Sequence, residues 1–159
     1  MELNFGPRGV LEINNAQICY RNFAGRQSQF NAAGDRNFCL IIPTKEMADA
    51  LIERGWNVKV KPGRDAFEEP FRTLKVKVTC NENGPSAYFR SGRNNTKLDE
   101  ETIGMLDEVS LASVDLDIRP YDWNIGGRGG RTAYLKGIWA YHNQDRFANR
   151  FAEQEYPQE

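Results

Sequence analysis

Apolar and polar residues alternate in two short segments of this chain, WNVKVK at 56–61 and LKVKVTC at 74–80. A period of two residues predicts β-strands that have one apolar and one polar face. The polar faces carry lysines, at Lys59 and Lys61 in the first segment and at Lys75 and Lys77 in the second. If the segments pair as an antiparallel hairpin, four ammonium groups share one face, and an anionic ligand would relieve their repulsion. A solvated face that protects a strand edge from aggregation is the alternative interpretation.

Most of the remaining chain is also predicted to form strands. Thr44 is expected to cap one short helix that stops at Gly55, and Asp99 to begin a second, acidic helix, DEETIGMLDE. The glycine-rich segment NIGGRGG predicts a hairpin with a flexible basic tip. Six or seven strands with two short helices indicate a mainly β fold, barrel-like or mixed, rather than alternating βαβ units. The further predicted strands are residues 11–20, 37–42, 86–93, 114–123 and 131–142.

Size and composition indicate one domain that stays in the cytoplasm. A chain of 159 residues is long enough to bury one core. The N-terminal MELNFGPRG lacks the features of a signal peptide, and no apolar run approaches the roughly 20 residues that span a bilayer. Cys19, Cys39 and Cys80 have no CxxC spacing, which argues against a zinc site and predicts reduced thiols in the core.

Charge is distributed unevenly along the chain. Residues 1–97 carry 15 Lys and Arg against 10 Asp and Glu, whereas residues 98–159 carry 6 against 12. The net charge of −1 gives no support for nucleic-acid binding by itself. A basic first part followed by an acidic end is typical of a binder whose tail competes for its own site or recruits basic partners.

No catalytic motif stands out, and we expect no catalytic residue, cofactor or metal. His142 is the single histidine, and the GxSxG, Walker A and HExxH patterns do not occur. Asp115 and Asp117 share a strand face, with Asp122 nearby, and such a pair could hold Mg²⁺ in a small nuclease. The other interpretation is the solvent-exposed face of a half-buried strand, on which the carboxylates pair with Arg131 or Lys136 across the hairpin.

Aromatic residues stand beside basic ones at several strand ends and turns. Sequence-tolerant capture of single-stranded nucleic acid needs this mixture, because cations contact phosphates while aromatic rings stack on unpaired bases. We assign Trp56, Trp139 and Phe38 to the core. The predicted base platforms are Tyr20, Phe23, Tyr88, Tyr121 and Trp123.

The order of the blocks from LEINNAQICYRNFAGRQSQFNAAGDRNFCLII through GWNVKVKP, LDEETIGMLD and VDLDIRPYDW to TAYLKGIWAY resembles small single-stranded-DNA-binding proteins of phages and prophages. The resemblance covers about residues 10–142. It implies an OB-fold, a partly open five-stranded barrel that holds single strands on its sheet face and loops. We expect a nucleic-acid-binding domain at 1–145 and a short acidic tail at 146–159. The tail departs from the pattern of that class, since Tyr156 is not the last residue.

The leading interpretation is a non-enzymatic protein that coats single-stranded DNA in phage replication or recombination. Its partners would be single-stranded DNA and phage or host replication and recombination proteins, with no membrane, and a homodimer through strand edges stays open. A protein-interaction module that inhibits a host defence or replication factor is the second interpretation, and the magnesium nuclease is the third. The predicted phosphate contacts are Lys59, Lys61, Lys75, Lys77, Arg21, Arg26, Arg90, Arg93 and Arg128.

Overall fold

The computed structural model describes residues 1–143, which contain nine strands, one α-helix and two 3₁₀ turns. The 3₁₀ turns are Pro7–Gly9 and Ile103–Asp107. The predicted tail at 146–159 lies outside the described residues. The strands and helix are β1 (Glu2–Phe5), β2 (Leu11–Asn22), β3 (Arg36–Ile41), α1 (Lys45–Glu53), β4 (Val58–Lys61), β5 (Phe71–Val78), β6 (Ser86–Ser91), β7 (Asn94–Leu98), β8 (Leu111–Ile125) and β9 (Arg128–His142).

Five of these strands close into a barrel in the order β5-β3-β2-β8-β9. All neighbours are antiparallel except at the closing seam, where β5 and β9 run parallel and Val76 and Lys77 pair with Ala133 and Tyr134. The other strands extend the barrel: β1 pairs with β2, β4 with β5, and β6 with β9 and β7. The mainly β, OB-fold-like prediction is confirmed, although the seam closes the barrel that was expected to be partly open.

The period-two alternation places the core inside the barrel. Phe38, Leu40 and Val76 point inward and are fully buried, as are Leu116 and Ile118 opposite them. Burying one such side chain stabilises the fold by about 1.5–3 kcal/mol. The residues between them along each strand therefore point outward, where side chains are free to serve a ligand.

The first predicted helix is confirmed and the second is not. Thr44 caps α1 by accepting a hydrogen bond from the backbone N–H of Met47 at 3.2 Å, and Ala48 and Leu51 are buried. The acidic segment after Asp99 forms only the 3₁₀ turn Ile103–Asp107. Ile103 and Leu106 are both buried, and their spacing of three residues suits the three-residue period of a 3₁₀ helix.

The β8–β9 hairpin is longer and tighter at its tip than the sequence predicted. Both strands extend to a two-residue turn, Gly126–Gly127, with φ angles of 57° and 82°. Two central residues with positive φ are typical of the type I′ turn, whose twist matches that of the flanking strands. The segment NIGGRGG is therefore mostly paired strand, which corrects the prediction of a flexible tip.

Candidate nucleic-acid interface

The four predicted lysines lie together on the outer surface of the barrel. The pairing of β4 with β5 is antiparallel, as expected, with Lys59 opposite Thr73 and Lys61 opposite Phe71. Lys75 and Lys77 lie further along β5, opposite Cys39 and Asn37 of β3. Each lysine thus faces an uncharged residue, so the predicted repulsion between directly opposed charges is absent. We call Lys59, Lys61, Lys75 and Lys77 the basic face.

In the part of the chain that the structure describes, the charges of the basic face have no acidic partner at ion-pair distance. Within residues 1–143, none of its four ammonium groups lies within 4.0 Å of a carboxylate. Burial raises the pKa of the Cys39 thiol, and the positive charges of Lys75 and Lys59 act in the opposite direction. The ammonium groups of Lys75 and Lys59 therefore both lie close enough to the Cys39 thiol for their charges to act on its pKa. The basic face is a concentration of positive charge suited to phosphate groups.

Two aromatic rings stand on the same outer surface. Tyr20 of β2 is 70% exposed, and its ring meets that of Phe71 of β5 edge to face, with 6.4 Å between the ring centroids. β3 lies between the two strands that carry these rings. Sequence analysis missed Phe71, although Phe71, Thr73 and Lys75 share one face in the alternation of β5. The basic face is thus bordered by rings that a base could stack on.

The basic face continues across the seam onto the outer face of the β8–β9 hairpin. Lys77 pairs with Tyr134, whose ring lies under the Arg119 guanidinium at 4.8 Å and meets the Tyr121 ring edge to face at 6.1 Å. Trp123 follows on the same face and is 37% exposed. We call Arg119, Tyr121, Trp123 and Tyr134 the hairpin face.

A hydrogen-bonded arginine on the opposite side of the hairpin fixes its position. The Arg131 guanidinium donates to both carboxylate oxygens of Asp122, at 2.6 and 3.1 Å, and to the backbone carbonyl of Arg54 at 2.6 Å. It also lies over the Trp56 ring at 5.1 Å. The hydrogen bond from Arg131 lowers the pKa of the Asp122 carboxyl. Tyr121 and Trp123 therefore stand on a hairpin that is attached to the end of α1.

The family model of the phage ssDNA-binding domain matches residues 5–159. The chain belongs to this family. Its fold is similar to the single-stranded DNA-binding protein from bacteriophage Enc34 in complex with ssDNA, at 14% identity and a TM-score of 0.55 over 91% of this chain and 93% of that one. A second structure of the Enc34 protein matches at 14% identity and a TM-score of 0.53, covering 92% and 93% of the two chains. No curated protein matches the sequence.

In this phage ssDNA-binding domain, Lys75 and Lys77 of the basic face lie at the position that OB-folds use for oligonucleotides, and Lys59 and Lys61 lie beside it on β4, which pairs with β5. β3 and β5 are the second and third strands of the barrel, and these strands with the loops between strands one and two and strands four and five form that position. Here the loops are residues 23–35 and the β8–β9 turn. Arg128 is exposed at that turn. Arg26 is also exposed, and it forms an ion pair with Glu108 at 3.0 Å.

Two of the predicted contact residues are turned into the protein. Phe23 is fully buried and stacks on Phe38 with 5.0 Å between the ring centroids, so its ring is closed to a base. Arg21 donates to the carbonyls of Leu106 and Val109 at 2.8 and 2.7 Å, which holds its guanidinium away from solvent. Both side chains fix the loop after β2 against the 3₁₀ turn. Their position beside a turn suggested that both side chains are exposed. Because that turn packs on the barrel, the side chains are instead directed toward the protein.

The predicted residues on β6 lie apart from the basic face. Tyr88 and Arg90 belong to β6, and the exposed Arg93 is in the turn that follows. Tyr88 pairs with Trp139 of β9, and their rings are nearly parallel, 11° apart in plane with 6.3 Å between centroids. Trp139 is only partly buried, which corrects its assignment to the core; Trp56 and Phe38 are buried as expected.

The two strand carboxylates are engaged in structural contacts. Asp115 accepts hydrogen bonds from the backbone N–H of Asn15 at 2.9 Å and from the Tyr141 hydroxyl at 3.0 Å. Burial and the charge of Glu12 raise the pKa of Asp117. In the part of the chain that the structure describes, no group of three or more His, Cys, Asp or Glu could hold a metal ion. His142 lies beside the Ser91 hydroxyl at 3.1 Å and against the Phe89 ring.

The three cysteines of this domain are half-buried thiols rather than core residues. Cys19 and Cys39 are free and directly opposite each other on β2 and β3, on the outer side of the barrel. Burial raises the pKa of Cys19 to about 11, with a smaller contribution from Cys39. Both thiols therefore stay protonated at neutral pH, which leaves the center of this surface uncharged between the lysines.

Within residues 1–143 no helix is long and apolar enough to cross a membrane.

Proposed function

We propose that this phage ssDNA-binding domain holds single-stranded DNA along the basic face and the hairpin face, as a non-enzymatic coat during phage DNA replication or recombination in the host cytoplasm. Lys59, Lys61, Lys75 and Lys77 contact phosphates, and Arg128 extends the track at the hairpin tip. The observation that carries this proposal is the set of four outward lysines without acidic partners in residues 1–143, two on β5, the third strand of an OB-fold-like barrel, and two on β4, which pairs with it.

The aromatic rings beside these lysines are the proposed base platforms. Tyr20 and Phe71 stand at one side of the basic face, and Tyr121, Trp123 and Tyr134 stand at the other. Stacking on exposed rings is worth about 1–3 kcal/mol per base and tolerates any sequence. Family membership and this arrangement favour single-strand binding over a protein-interaction module or a nuclease. Recruitment of phage or host replication proteins, and a homodimer, stay as predictions that co-purification and sedimentation would test.

The test is a salt series on the double variant Lys59→Ala, Lys77→Ala, with fluorescence anisotropy of a labelled oligo-dT. Each lost phosphate contact should reduce the slope of log affinity against log salt by about 0.7, so the double variant should lose about 1.4. Lys45→Ala is the matched control, because Lys45 is exposed on α1 and pairs with Asp49. An unchanged slope in the double variant, with the fold intact by circular dichroism, would contradict the proposal.

A further inference from the structure

The surface around Tyr88 and Trp139 forms a second aromatic patch, which we call the second platform. Gly137 lies two residues before Trp139 on the same face, and a Cβ placed on it would come within 3.0 Å of the indole ring. The absence of a side chain thus lets the indole approach the strand closely. The Tyr88 ring on the neighbouring strand stacks with the indole, with 11° between the ring planes. Each ring holds the other in an orientation in which an outer face could stack on a base.

A cavity of about 220 Å³ opens beside the second platform and carries arginines. Arg90, Arg93 and Asn95 line it together with Tyr88, Trp139 and Tyr141. The Arg90 side chain donates only a long hydrogen bond, 3.4 Å to the Gly92 carbonyl, and its charge acts on the Tyr141 hydroxyl. Rings to stack a base beside cations to contact its phosphate are the combination that single-stranded nucleic acid requires.

One carboxylate beside the second platform is held by hydrogen bonds. Asp115 borders the second platform from the β8 side, as the partner of Trp139 in the β8–β9 pairing. Its two oxygens accept hydrogen bonds from Asn15 and Tyr141. Lys97 pairs with Tyr88 from the β7 side and adds a further exposed cation. Arg90 and Lys97 thus bring positive charge to this patch, which suits an anionic ligand.

The second platform is separate from the basic face but lies on the same surface. β5 and β6 pair one after the other along a single edge of β9, so their outward side chains adjoin. Tyr134, beside Lys77, and Trp139 are five positions apart on β9, a distance of roughly 17 Å at 3.3 Å per residue. One base cannot contact both, and Lys136 is exposed at the bulge between them.

We infer that the second platform is an additional nucleotide subsite, where a base of the same DNA strand stacks on Tyr88 and Trp139 and its phosphate contacts Arg90. This inference rests on the proposed single-strand binding. It predicts that longer strands gain affinity by reaching the second platform after they have filled the basic face. Short strands occupy the basic face alone.

The double variant Tyr88→Ala, Arg90→Ala tests the subsite with two lengths of oligo-dT, of about 5 and about 20 nucleotides. Affinity for the longer strand should fall by about 5- to 150-fold, the effect of one lost stacked base, while affinity for the shorter strand stays unchanged. Lys45→Ala is the matched control, because Lys45 is exposed on α1 outside both binding surfaces, and it should leave the affinity for both lengths at the wild-type value. Equal affinity of wild type and double variant for the longer strand overturns the inference.

The Lys59→Ala, Lys77→Ala variant distinguishes failure of the second platform as a subsite from failure of the proposed single-strand binding. If it weakens both lengths while Tyr88→Ala, Arg90→Ala weakens neither, the basic face binds DNA and the second platform does not. If the Tyr88 variant unfolds by circular dichroism, photo-cross-linking of wild type to an oligonucleotide containing 5-iodouracil replaces it. Cross-links at Tyr88 or Trp139, located by mass spectrometry, support the subsite. Cross-links confined to other residues overturn it.

Discussion

At the scale of single residues, Gly130 determines how Trp123 is presented. These residues are opposite each other in the hairpin, and a Cβ on Gly130 would overlap Cζ2 of the indole and lie 2.8 Å from Cε2. The indole therefore lies over a strand position that has no side chain. A tryptophan held in this way keeps one face toward solvent, where a base could stack.

We expect Gly130→Ala to displace the Trp123 ring and to weaken single-strand binding without a change in charge. The expected loss is about 1–3 kcal/mol, the contribution of one stacked base, with an unchanged salt slope because no phosphate contact is removed. Titration with oligo-dT at several salt concentrations measures both quantities. Gly129→Ala is the neighbouring control, since a Cβ there would meet only the Trp123 carbonyl at an ordinary 3.5 Å. Equal losses in the two variants would argue against a role for the indole.

Two neighbouring carboxylates should respond in opposite ways to neutralisation. Asp115→Asn removes one acceptor from a residue that serves both Asn15 and Tyr141, so the free energy of unfolding should fall by about 1 kcal/mol. Asp117 has a pKa raised by burial and by Glu12, so its charged form is disfavoured in the folded protein. The contribution of Asp117 to stability is therefore lost as the pH rises through the pKa that this carboxyl has in the folded protein. Because the carboxylate is charged at neutral pH, Asp117→Asn should stabilise the protein there.

Urea unfolding at neutral pH measures both changes, and oligonucleotide titration shows whether binding is affected. We expect affinity for single strands to stay at the wild-type value in both variants. Tight binding of Mg²⁺ or Mn²⁺ by wild type that disappears in the Asp115→Asn, Asp117→Asn double variant would assign these residues to a metal site instead.

At the scale of elements, the β8–β9 hairpin depends on one side chain for its position. Arg131 joins Asp122 of the facing strand to the carbonyl of Arg54 at the end of α1. A planar guanidinium can serve these acceptors together, whereas the single ammonium of lysine lacks the fixed fork that does so. The orientation of the hairpin face relative to the basic face thus follows from this contact.

Arg131→Ala should loosen the hairpin and reduce single-strand affinity, although Arg131 itself points away from the proposed DNA path. Hydrogen exchange of amides between 121 and 132 should accelerate, and Arg131→Lys should give an intermediate rate. Because Arg131 lowers the pKa of Asp122, their pairing contributes stability above the ordinary carboxylate range and is lost as the pH falls below it. Faster hydrogen exchange with unchanged single-strand affinity would show that the hairpin is not part of the DNA interface.

At the scale of the whole molecule, alternation predicted more of the fold than of the site. It located β2, β3, β5, β6 and the hairpin, because each buries alternate apolar residues, and it located β4 although Val58 is only half-buried and Val60 is exposed. β7, with the sequence NNTKL, was missed because its pattern is polar, and it forms a strand only by pairing with β6. The seam and the bulge in β9 decide that Tyr134 and Trp139 point outward, and the sequence predicted neither feature. Which outward residues adjoin depends on pairings between distant segments, and a single sequence does not encode these locally.

The closing seam also bears on when this protein becomes active during its synthesis. The basic face is complete once the ribosome has passed Val78, but the strands that cover its inner side, β8 and β9, begin only at Leu111 and Arg128. Until then the inward Leu40 and Val76 have no partners across the barrel, and the strands lack a core to hold them in place. We expect nascent chains to pass from inert to DNA-binding in one step once β9 has left the ribosome, so that fragments released before that point do not compete for the strand.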